Sequence, residues 1–197
     1  MAQLPVRLGP QPGFLLPMIS ILKSDALNRA LTRIAHEIVE RNPQVDSLIL
    51  IGLQTRGVFL AERLAKKIKE ITGQAVETAK LDITFHRDDL NLRSDIPVPK
   101  STSIETNLDG KNIVLVDDVI FSGRSIRAAM DALTDHGRPQ TVQLAVLVDR
   151  GHRELPIRAD YIGKNVPTSL IENIVVHLTE ADGKDEVLIE KASKADK

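Results

Sequence analysis

The chain has 197 residues, which is enough for one compact α/β domain and short for two. Its 26 basic and 27 acidic residues give a net charge of −1, which argues against a generally polybasic nucleic-acid binder but leaves room for a local basic patch. The absence of cysteine excludes disulfides, zinc–thiolate sites, iron–sulfur clusters and thiol catalysis, and no apolar run approaches the roughly 20 residues of a membrane-spanning helix. We expect a cytoplasmic protein with a single domain.

The N-terminal segment differs in composition from the rest of the chain. It contains four prolines, each of which removes a backbone donor and disfavours helix in the residue before it. A secretory signal peptide fits poorly, because the segment has one basic residue and no unbroken apolar core. We predict a disordered extension over residues 1–17, one domain over 18–192 and a flexible tail over 193–197. A natural start at Met18 is a further hypothesis.

After this extension, apolar periodicity predicts helices that alternate with strands. A first helix begins with a cap at Ser24 or Asp25 and ends at Asn42-Pro43. The later elements are strands at 47–52, 75–85, 112–118 and 141–149, helices at about 58–71 and 125–136, and a C-terminal antiparallel hairpin that turns around Asp182-Gly183. This order predicts a mainly parallel sheet that binds ligands at the carboxyl ends of its strands.

Two connections lack this periodicity. The polar stretch 86–109 is longer than ordinary connections, which makes it a candidate lid or binding loop. Residues 150–169 are basic and irregular.

The most informative segment covers residues 113–125. A hydrophobic strand delivers two adjacent carboxylates, Asp117 and Asp118, and a short loop with Ser122 and Ser125 then enters a helix. Backbone N–H groups at the helix start and the two hydroxyls form a cradle for a phosphate monoester. The acidic pair suits polyol hydroxyls, a cation or both, and a phosphate next to a diol describes ribose 5-phosphate. The alternative is an ordinary turn in which the acids start the turn and Ser122 caps the helix.

A second loop, at residues 52–57, lies between the first buried strand and a helix. It has the Gly-x4-Gly spacing of a P-loop, but Val58-Phe59 stands where that motif requires Lys and Ser or Thr. The segment is therefore not a Walker A motif. The Thr55-Arg56-Gly57 core of this loop is, by itself, only weak evidence of a function.

Residues 114–125 resemble the ribose-phosphate-binding signature of type I phosphoribosyltransferases. The resemblance implies the α/β fold of that family: a mainly parallel central sheet flanked by helices, a small hood built from the loop after Asp149, and the C-terminal hairpin. In the family, the two acids hold the ribose 2- and 3-hydroxyls of phosphoribosyl pyrophosphate (PRPP), and the loop after them holds the 5-phosphate. Ser122 and Ser125 stand where threonine is more usual, and both retain the hydroxyl.

The same resemblance gives roles to two further segments. Thr55-Arg56-Gly57 is similar to the family's pyrophosphate loop, so that backbone amides and Arg56 would contact the leaving group. The long loop after Asp82 stands where the family has a mobile lid, which excludes water from an oxocarbenium-like transition state. Arg87 in this loop is then a candidate for stabilising the departing pyrophosphate, and the alternative is a solvated arginine.

A narrower likeness involves residues 29–38, 82–90 and 144–169. Together they are similar to the pyrimidine operon attenuation regulators that double as uracil phosphoribosyltransferases, and the likeness runs from Ile21 to the final hairpin, with Phe85-His86 as a departure. It implies that Arg150 borders a uracil pocket.

The catalytic candidates are Arg87, Asp117 and Asp118. The substrate-binding candidates for PRPP and UMP are Thr55, Arg56, Gly57, Asp117, Asp118, Val119, Ile120, Phe121, Ser122, Gly123, Arg124, Ser125 and Arg150.

The likeness also implies the small ligands and the assembly. PRPP, uracil and the nucleotides UMP or UTP are the expected ligands. Mg²⁺ is expected to be held chiefly by oxygens of PRPP, with the acidic pair near it and no metal site made by the protein alone. A homo-oligomer is expected, either a dimer or an assembly of dimers.

A basic face is predicted on the first helix. Arg29 and three residues after it fall within about 100° of arc, opposite the apolar face. In the similar family, which binds a messenger-RNA hairpin of the pyrimidine operon leader, the matching RNA contacts are Thr32, Arg33, His36, Arg153, Arg158 and Lys164. Uridine nucleotide in the active site would favour the RNA-binding state. The alternative is a solvated helix face, which Glu37 and Glu40 share.

Three functions stay open at this point. The first is the bifunctional regulator and uracil transferase. The second is an RNA-binding regulator with vestigial transferase activity. The third is a transferase for uracil or for another base, such as orotate or a purine, without an RNA role.

Overall fold

The computed structural model describes residues 18–83 and 102–191. The strands are β1 (Met18–Lys23), β2 (Leu48–Leu53), β3 (Glu77–Leu81), β4 (Asn112–Ile120), β5 (Thr141–Asp149), β6 (Tyr161–Asn165), β7 (Glu172–His177) and β8 (Glu186–Lys191). The helices are α1 (Ser24–Arg41), α2 (Arg56–Thr72), α3 (Arg124–Leu133) and α4 (Thr179–Asp182), with short 3-10 turns at Val45–Ser47 and Thr134–His136. None of the helices within these ranges is long and apolar enough to cross a membrane.

Five strands form a parallel central sheet in the order β3-β2-β4-β5-β6. Both faces of this sheet are covered, so strands such as β2 are apolar without alternation. Leu48 and Leu50 point to the side where α1 and α2 pack, whereas Ile49 and Ile51 point to the side where α3 packs. This arrangement confirms the predicted α/β class with a mainly parallel sheet.

The sheet order changes direction between β2 and β4. From β2 the chain passes through α2 to β3 on one side, and from β4 it passes through α3 to β5 on the other. In open parallel sheets, ligands bind at the carboxyl ends of the strands beside such a reversal. The loops after β2 and β4 therefore border the same crevice.

A second, antiparallel sheet has the order β1-β8-β7. The predicted hairpin is present as β7 and β8, which are joined by α4 and by Gly183 with a φ of 72°. Two strands were not predicted. β1 pairs with β8 at the far end of the chain, and β6 adds to the edge of the main sheet within the stretch predicted to be irregular. Both strands take their hydrogen bonds from partners distant in sequence, which local patterning does not reveal.

The ends of α1 illustrate what the sequence specifies locally. Its C-terminus falls where Asn42-Pro43 predicts it, and the backbone N–H and the side-chain amide of Asn42 both donate to the Ile38 carbonyl at 2.9 Å. The predicted cap at Ser24 or Asp25 is wrong, because the helix begins at Ser24 and its cap residue, Lys23, makes no side-chain hydrogen bond. Asp25 lies in the first turn, where the negative charge of a carboxylate interacts favourably with the helix dipole and so stabilises the helix.

Several predicted features lie outside the described residues. These are the N-terminal extension, the C-terminal tail after residue 191, and most of the long loop, including Arg87. The described end of the loop, from residue 102, connects back to the sheet, because Ser103 and Lys80 form an antiparallel bridge.

Candidate functional site

The acidic pair lies on the last residues of β4. The strand continues to Ile120, so Asp117 and Asp118 belong to the strand itself and are half-buried. The Asp117 carboxylate accepts the N–H of Asp118 at 2.9 Å, and the Asp118 carboxylate accepts the N–H of Val119 at 2.8 Å. Burial raises the pKa of Asp118, while the hydrogen bond from Val119 and the positive charge of Arg56 act in the opposite direction.

The loop after β4 forms a cavity of about 310 Å³ with the start of α3. Gly123 precedes the helix with a φ of 92°, a conformation that favours glycine, and no side chain in the described residues caps the helix at that position. The N-terminus of α3 therefore keeps donors for an anion. The cavity is lined by Asp117, Val119, Ile120, Phe121, Ser122, Gly123, Arg124, Ser125, Ile126 and Glu154.

The alternative in which Ser122 serves only as a helix cap finds little support. The Ser122 hydroxyl accepts the Arg124 N–H at 3.4 Å, which is at the limit of a hydrogen bond. At the rim of the cavity, Arg124 pairs with Glu154 at 2.7 Å, and both side chains are about half exposed.

The segment after β5 holds the loop after β4 in place. The N–H groups of Glu154 and Leu155 both donate to the Ser122 carbonyl, at 3.0 and 3.1 Å. Arg153 donates to the Phe121 carbonyl at 2.9 Å and to the Asp149 carboxylate at 2.5 Å. This clamp was not predicted from the sequence. Its two segments are 32 residues apart in the chain, so no local sequence pattern indicates the contact.

Arg150 and Phe121 form a wall next to this cavity. Arg150 is buried, and its guanidinium lies 4.4 Å from the centroid of the Phe121 ring. It donates to the Thr168 hydroxyl and the Ser169 carbonyl, each at 3.1 Å, and to the Glu172 carbonyl. Burial lowers the pKa of Arg150. Hydrogen bonds from Nε and Nη2 to the protein hold this guanidinium in place as part of the pocket wall.

The loop after β2 packs closely against β4. A Cβ at Gly57 would clash with the Val116 carbonyl oxygen, so glycine is required where α2 begins beside the acidic pair. The peptide bond between Gln54 and Thr55 is cis. Arg56 pairs with Asp182 of α4 at 2.9 Å, which links this loop to the hairpin. The Gly57 contact places this loop next to β4, and the role of Thr55, Arg56 and Gly57 at pyrophosphate stays a prediction.

Four of the six predicted RNA contacts lie on α1 and β6. Arg33 of α1 donates to the carbonyls of Ile162 and Gly163, at 3.0 and 2.6 Å, and so reaches the edge strand of the main sheet. Lys164 of that strand donates to the Ile21 carbonyl at 3.3 Å, and His36 is exposed. We call Thr32, Arg33, His36 and Lys164 the basic surface.

The other two predicted RNA contacts belong to the connection between β5 and β6. Arg158 is exposed. Arg153 is half-buried and, besides the bonds given above, donates to the Ile157 and Gly151 carbonyls at 3.0 and 3.2 Å. The structure thus places Arg153 in the clamp around the cavity, and an RNA contact through it stays a prediction.

The described residues contain no cluster of three or more His, Cys, Asp or Glu side chains that would enclose a metal ion. A cation near Asp117 and Asp118 would take most of its ligands from a bound substrate. Mg²⁺ suits such a place, because it is commonly held by one or two carboxylates, substrate phosphates and water.

Comparison with known proteins gives relatives over most of the chain. Residues 19–180 match the family described as the phosphoribosyl transferase domain. The protein named Bifunctional protein PyrR from Pelotomaculum thermopropionicum is 57% identical over 169 residues, covering 86% of this chain and 93% of that protein. Its namesake from Chloroflexus aurantiacus is 54% identical over 176 residues, covering 89% and 97%.

Solved structures support the fold. A hypoxanthine-guanine phosphoribosyltransferase from Bacillus anthracis superposes with a TM-score of 0.67 at 19% identity, covering 88% of this chain and 98% of that one. A hypoxanthine phosphoribosyltransferase from Trypanosoma cruzi gives a TM-score of 0.69 at 14% identity, covering 92% and 95%. At these identities the likeness concerns the fold alone.

Proposed function

The chain belongs to the phosphoribosyl transferase family and, within it, to the PyrR proteins, and from this premise we propose what its two surfaces do. It transfers the phosphoribosyl group of PRPP to uracil, and it regulates pyrimidine operon expression by binding leader RNA in a uridine-nucleotide-dependent manner. The observation that carries the proposal is the cavity after β4, where Asp117, the first of two adjacent acids on the strand, lies near a helix N-terminus whose cap residue makes no side-chain hydrogen bond. These are complementary to a ribose diol and a phosphate.

The transferase reaction replaces pyrophosphate with the base. The bond between ribose C1 and the pyrophosphate oxygen breaks, a bond between C1 and N1 of uracil forms, and the N1 proton is released to the pyrophosphate or to water. Asp117 and Asp118 hold the ribose hydroxyls, and residues 121–125 hold the 5-phosphate through backbone N–H groups and serine hydroxyls. Thr55, Arg56 and Gly57 contact the leaving pyrophosphate from the other side of the crevice, and Arg87 contributes positive charge to it.

The oxygens of PRPP would hold most of a Mg²⁺ ion's coordination, and the ion would neutralise part of the PRPP charge. Asp117, which lines the cavity, and its neighbour Asp118 are the carboxylates that would lie near such an ion. Uracil lies against the wall made by Phe121 and Arg150. The Nε and Nη2 groups of Arg150 bind the protein, and the base is recognised largely by backbone groups.

The RNA part of the proposal rests on the basic surface and its link to the cavity. The connection between β5 and β6 binds the loop after β4 at the Ser122 carbonyl and continues to Asp160. Asp160 pairs with Arg41 of α1 at 2.6 Å, and Arg33 holds α1 against β6. A nucleotide that orders the loop after β4 thereby orders the surface that meets RNA, which is the physical basis for feedback.

The deciding experiment measures binding of labelled pyrimidine-operon leader RNA with and without UMP, at two salt concentrations. We expect hairpin-specific binding that UMP strengthens. Weak binding that fades uniformly with salt would indicate only nonspecific phosphate attraction. In that case the alternative holds, namely a phosphoribosyltransferase without a regulatory role.

A panel of bases tests the substrate. Pyrophosphate release from PRPP is measured with uracil, orotate, hypoxanthine and guanine. We expect release with uracil above all other bases. Release with another base instead would contradict the assignment, and no release with any base would leave the RNA regulator with vestigial transferase activity.

We further propose that the protein acts in the cytoplasm as a homo-oligomer, either a dimer or an assembly of dimers. Nascent leader transcripts are made in that compartment. Light scattering after size-exclusion chromatography measures the assembly directly, and a mass equal to that of one 21.7 kDa chain would contradict it.

A further inference from the structure

A groove of about 380 Å³ lies along the contact between α1 and α2, beside the basic surface. It is lined by Asn28 of α1 and by Arg63, Lys66, Lys67 and Glu70 of α2. None of these residues belongs to the transferase site or to the RNA contacts predicted from the sequence. The groove nevertheless touches the basic surface at one point, because the Lys67 ammonium donates to the Thr32 hydroxyl at 2.9 Å.

The hydroxyl of Thr32 is poorly suited to contact a phosphate directly. Its proton is donated to the Asn28 carbonyl at 3.0 Å, and its oxygen accepts from Lys67. A phosphate oxygen only accepts hydrogen bonds, so Thr32 has no donor left for it. A favourable contact with an RNA phosphate at this position must therefore come from a neighbouring group.

Lys67 is that group. Its ammonium is held at two points, by the Asn28 side-chain carbonyl at 2.7 Å and by Thr32 at 2.9 Å, and the side chain is half-buried between the helices. An ammonium has three N–H donors, which leaves one for a ligand in the groove. Because both partners are neutral, its positive charge is not cancelled by them.

We propose that this groove binds a backbone phosphate of the leader RNA through Lys67, so that the RNA-binding surface extends across α1 onto α2. Thr32 and Asn28 act as positioning residues that fix the ammonium, and Lys66, which is exposed on the same side of α2, adds positive charge. The inference rests on the RNA-binding part of the proposed function.

The other charges around the groove support Lys67 as the contact. Arg63 is committed to Glu180 and Asp185, with four hydrogen bonds of 2.6 to 2.8 Å, and is neutralised by them. Glu70 is the carboxylate among the lining residues and opposes an approaching phosphate. Removing its charge should therefore strengthen RNA binding, in contrast to removal of the Lys67 charge.

The test compares Lys67→Gln with Lys69→Gln in the full-length protein. Both changes remove one positive charge from α2, but Lys69 does not line the groove. We expect Lys67→Gln to weaken binding of the leader hairpin about tenfold at moderate salt and to lower the salt slope by about 1. Lys69→Gln should change affinity less than about twofold, and Glu70→Gln should strengthen binding.

A double-mutant cycle tests the positioning role of Thr32. If Thr32 acts through Lys67, Thr32→Val weakens RNA binding in the wild-type background and adds little in the Lys67→Gln background. Full additivity overturns that role. Circular dichroism and the Tm show whether each variant retains the fold.

Two failures are distinguishable. Equal losses for Lys67→Gln and Lys69→Gln, while wild-type protein binds the hairpin, overturn only the groove as a phosphate site. Absence of hairpin binding by wild-type protein overturns both the groove and the RNA part of the proposed function. The transferase assay with uracil tests the enzymatic part of the proposed function independently of RNA binding.

Discussion

The nucleotide cavity and the basic surface are built in different ways. In the cavity, the groups offered to a ligand are mostly backbone N–H groups and short side chains, and close backbone contacts fix them. Gly57 lies against the Val116 carbonyl, and Gly123 lies under the side chains of Leu155 and Ile157. On the basic surface, the offered groups are long side chains that are individually tied to carbonyls, such as Arg33 to Gly163 and Lys164 to Ile21.

This difference determines how each region responds to substitution. A site made of interlocked backbone loses its geometry as a unit, so single changes there cause large losses of activity. A surface made of separate long cations loses one phosphate contact at a time, so losses are graded and depend on salt. Helix α2 lies near both regions, because Gly57 in its first turn packs against Val116 of β4 and its middle borders the groove.

The sharpest way to separate the two regions is the double variant Asp117→Asn, Asp118→Asn. We expect turnover with uracil and PRPP to fall at least about a hundredfold, roughly 2.7 kcal/mol of transition-state stabilisation, since amides hold a ribose diol and a cation poorly. Steady-state pyrophosphate release measures this, and circular dichroism should show an intact fold. RNA binding without nucleotide should persist. Near-normal turnover would remove the acidic pair from the mechanism.

Arg150→Met tests whether the wall of the cavity is also structural. The change removes a buried cation and leaves the Ser169 and Glu172 carbonyls without their donor. We expect the free energy of unfolding to fall by about 2–3 kcal/mol. Urea denaturation measures this change, with Arg158→Met as the control, because Arg158 is exposed. An equally small effect of both changes would contradict the structural role.

The Arg63 cluster, which joins α2 to the hairpin between the two regions, gives a pH-dependent prediction. Hydrogen bonds from Arg63 lower the pKa of Asp185 to about 2. Its contribution to stability is complete above the unfolded-state pKa near 4 and is lost as the pH falls from about 4 through about 2. Asp185→Asn should therefore cost about 2 kcal/mol at pH 7 and little near pH 2.

Urea denaturation of both proteins between pH 2 and pH 7 measures that dependence. A stability difference that stays constant over this range would show that Asp185 does not act through its charge.

The smallest effect is expected on the basic surface. Arg33→Gln should weaken leader RNA binding about fivefold, because one cation that also anchors α1 to β6 is lost. Arg29→Gln on the same helix should weaken leader RNA binding less, since exposed Arg29 is not among the predicted RNA contacts. Filter binding at two salt concentrations distinguishes the variants, and transferase activity should be the same in both. A large loss of transferase activity in Arg33→Gln would break the separation of the two regions.

Much of the main sheet followed from local signals. The strand at Thr141–Asp149 was predicted at its observed bounds, and β2 and β4 within two residues, because buried parallel strands are continuous apolar runs. Strands β1 and β6 were missed. The segment Tyr161–Asn165 contains a glycine and two polar residues, and only its pairing with β5 makes it a strand. The cap of α1 was misplaced because Ser24 and Asp25 tolerate the first turn as well as a cap position.

The candidate site was predicted in part. The motif at residues 114–125 located the carboxylates and the phosphate loop, because strand, acids, loop and helix are contiguous in the chain. The clamp by Glu154 and Leu155 and the link from Lys67 to Thr32 were not predicted. Lys67 in the sequence is one lysine of a lysine-rich helix, and its partner lies 35 residues earlier.

The sequence by itself determined the fold class and the family, and it predicted the residues that would meet the ribose and its phosphate, since each depends on a short contiguous pattern whose local structure is nearly obligatory. Only the tertiary structure decided which cations are available to a ligand. Arg63 and Arg153 resemble any other arginine in the sequence, yet carboxylates neutralise both, Glu180 and Asp185 at Arg63 and Asp149 at Arg153. Lys67 is fixed by neutral partners and keeps its charge. That distinction depends on which acceptors the folded chain brings within 3 Å of each cation, and these acceptors come from distant segments.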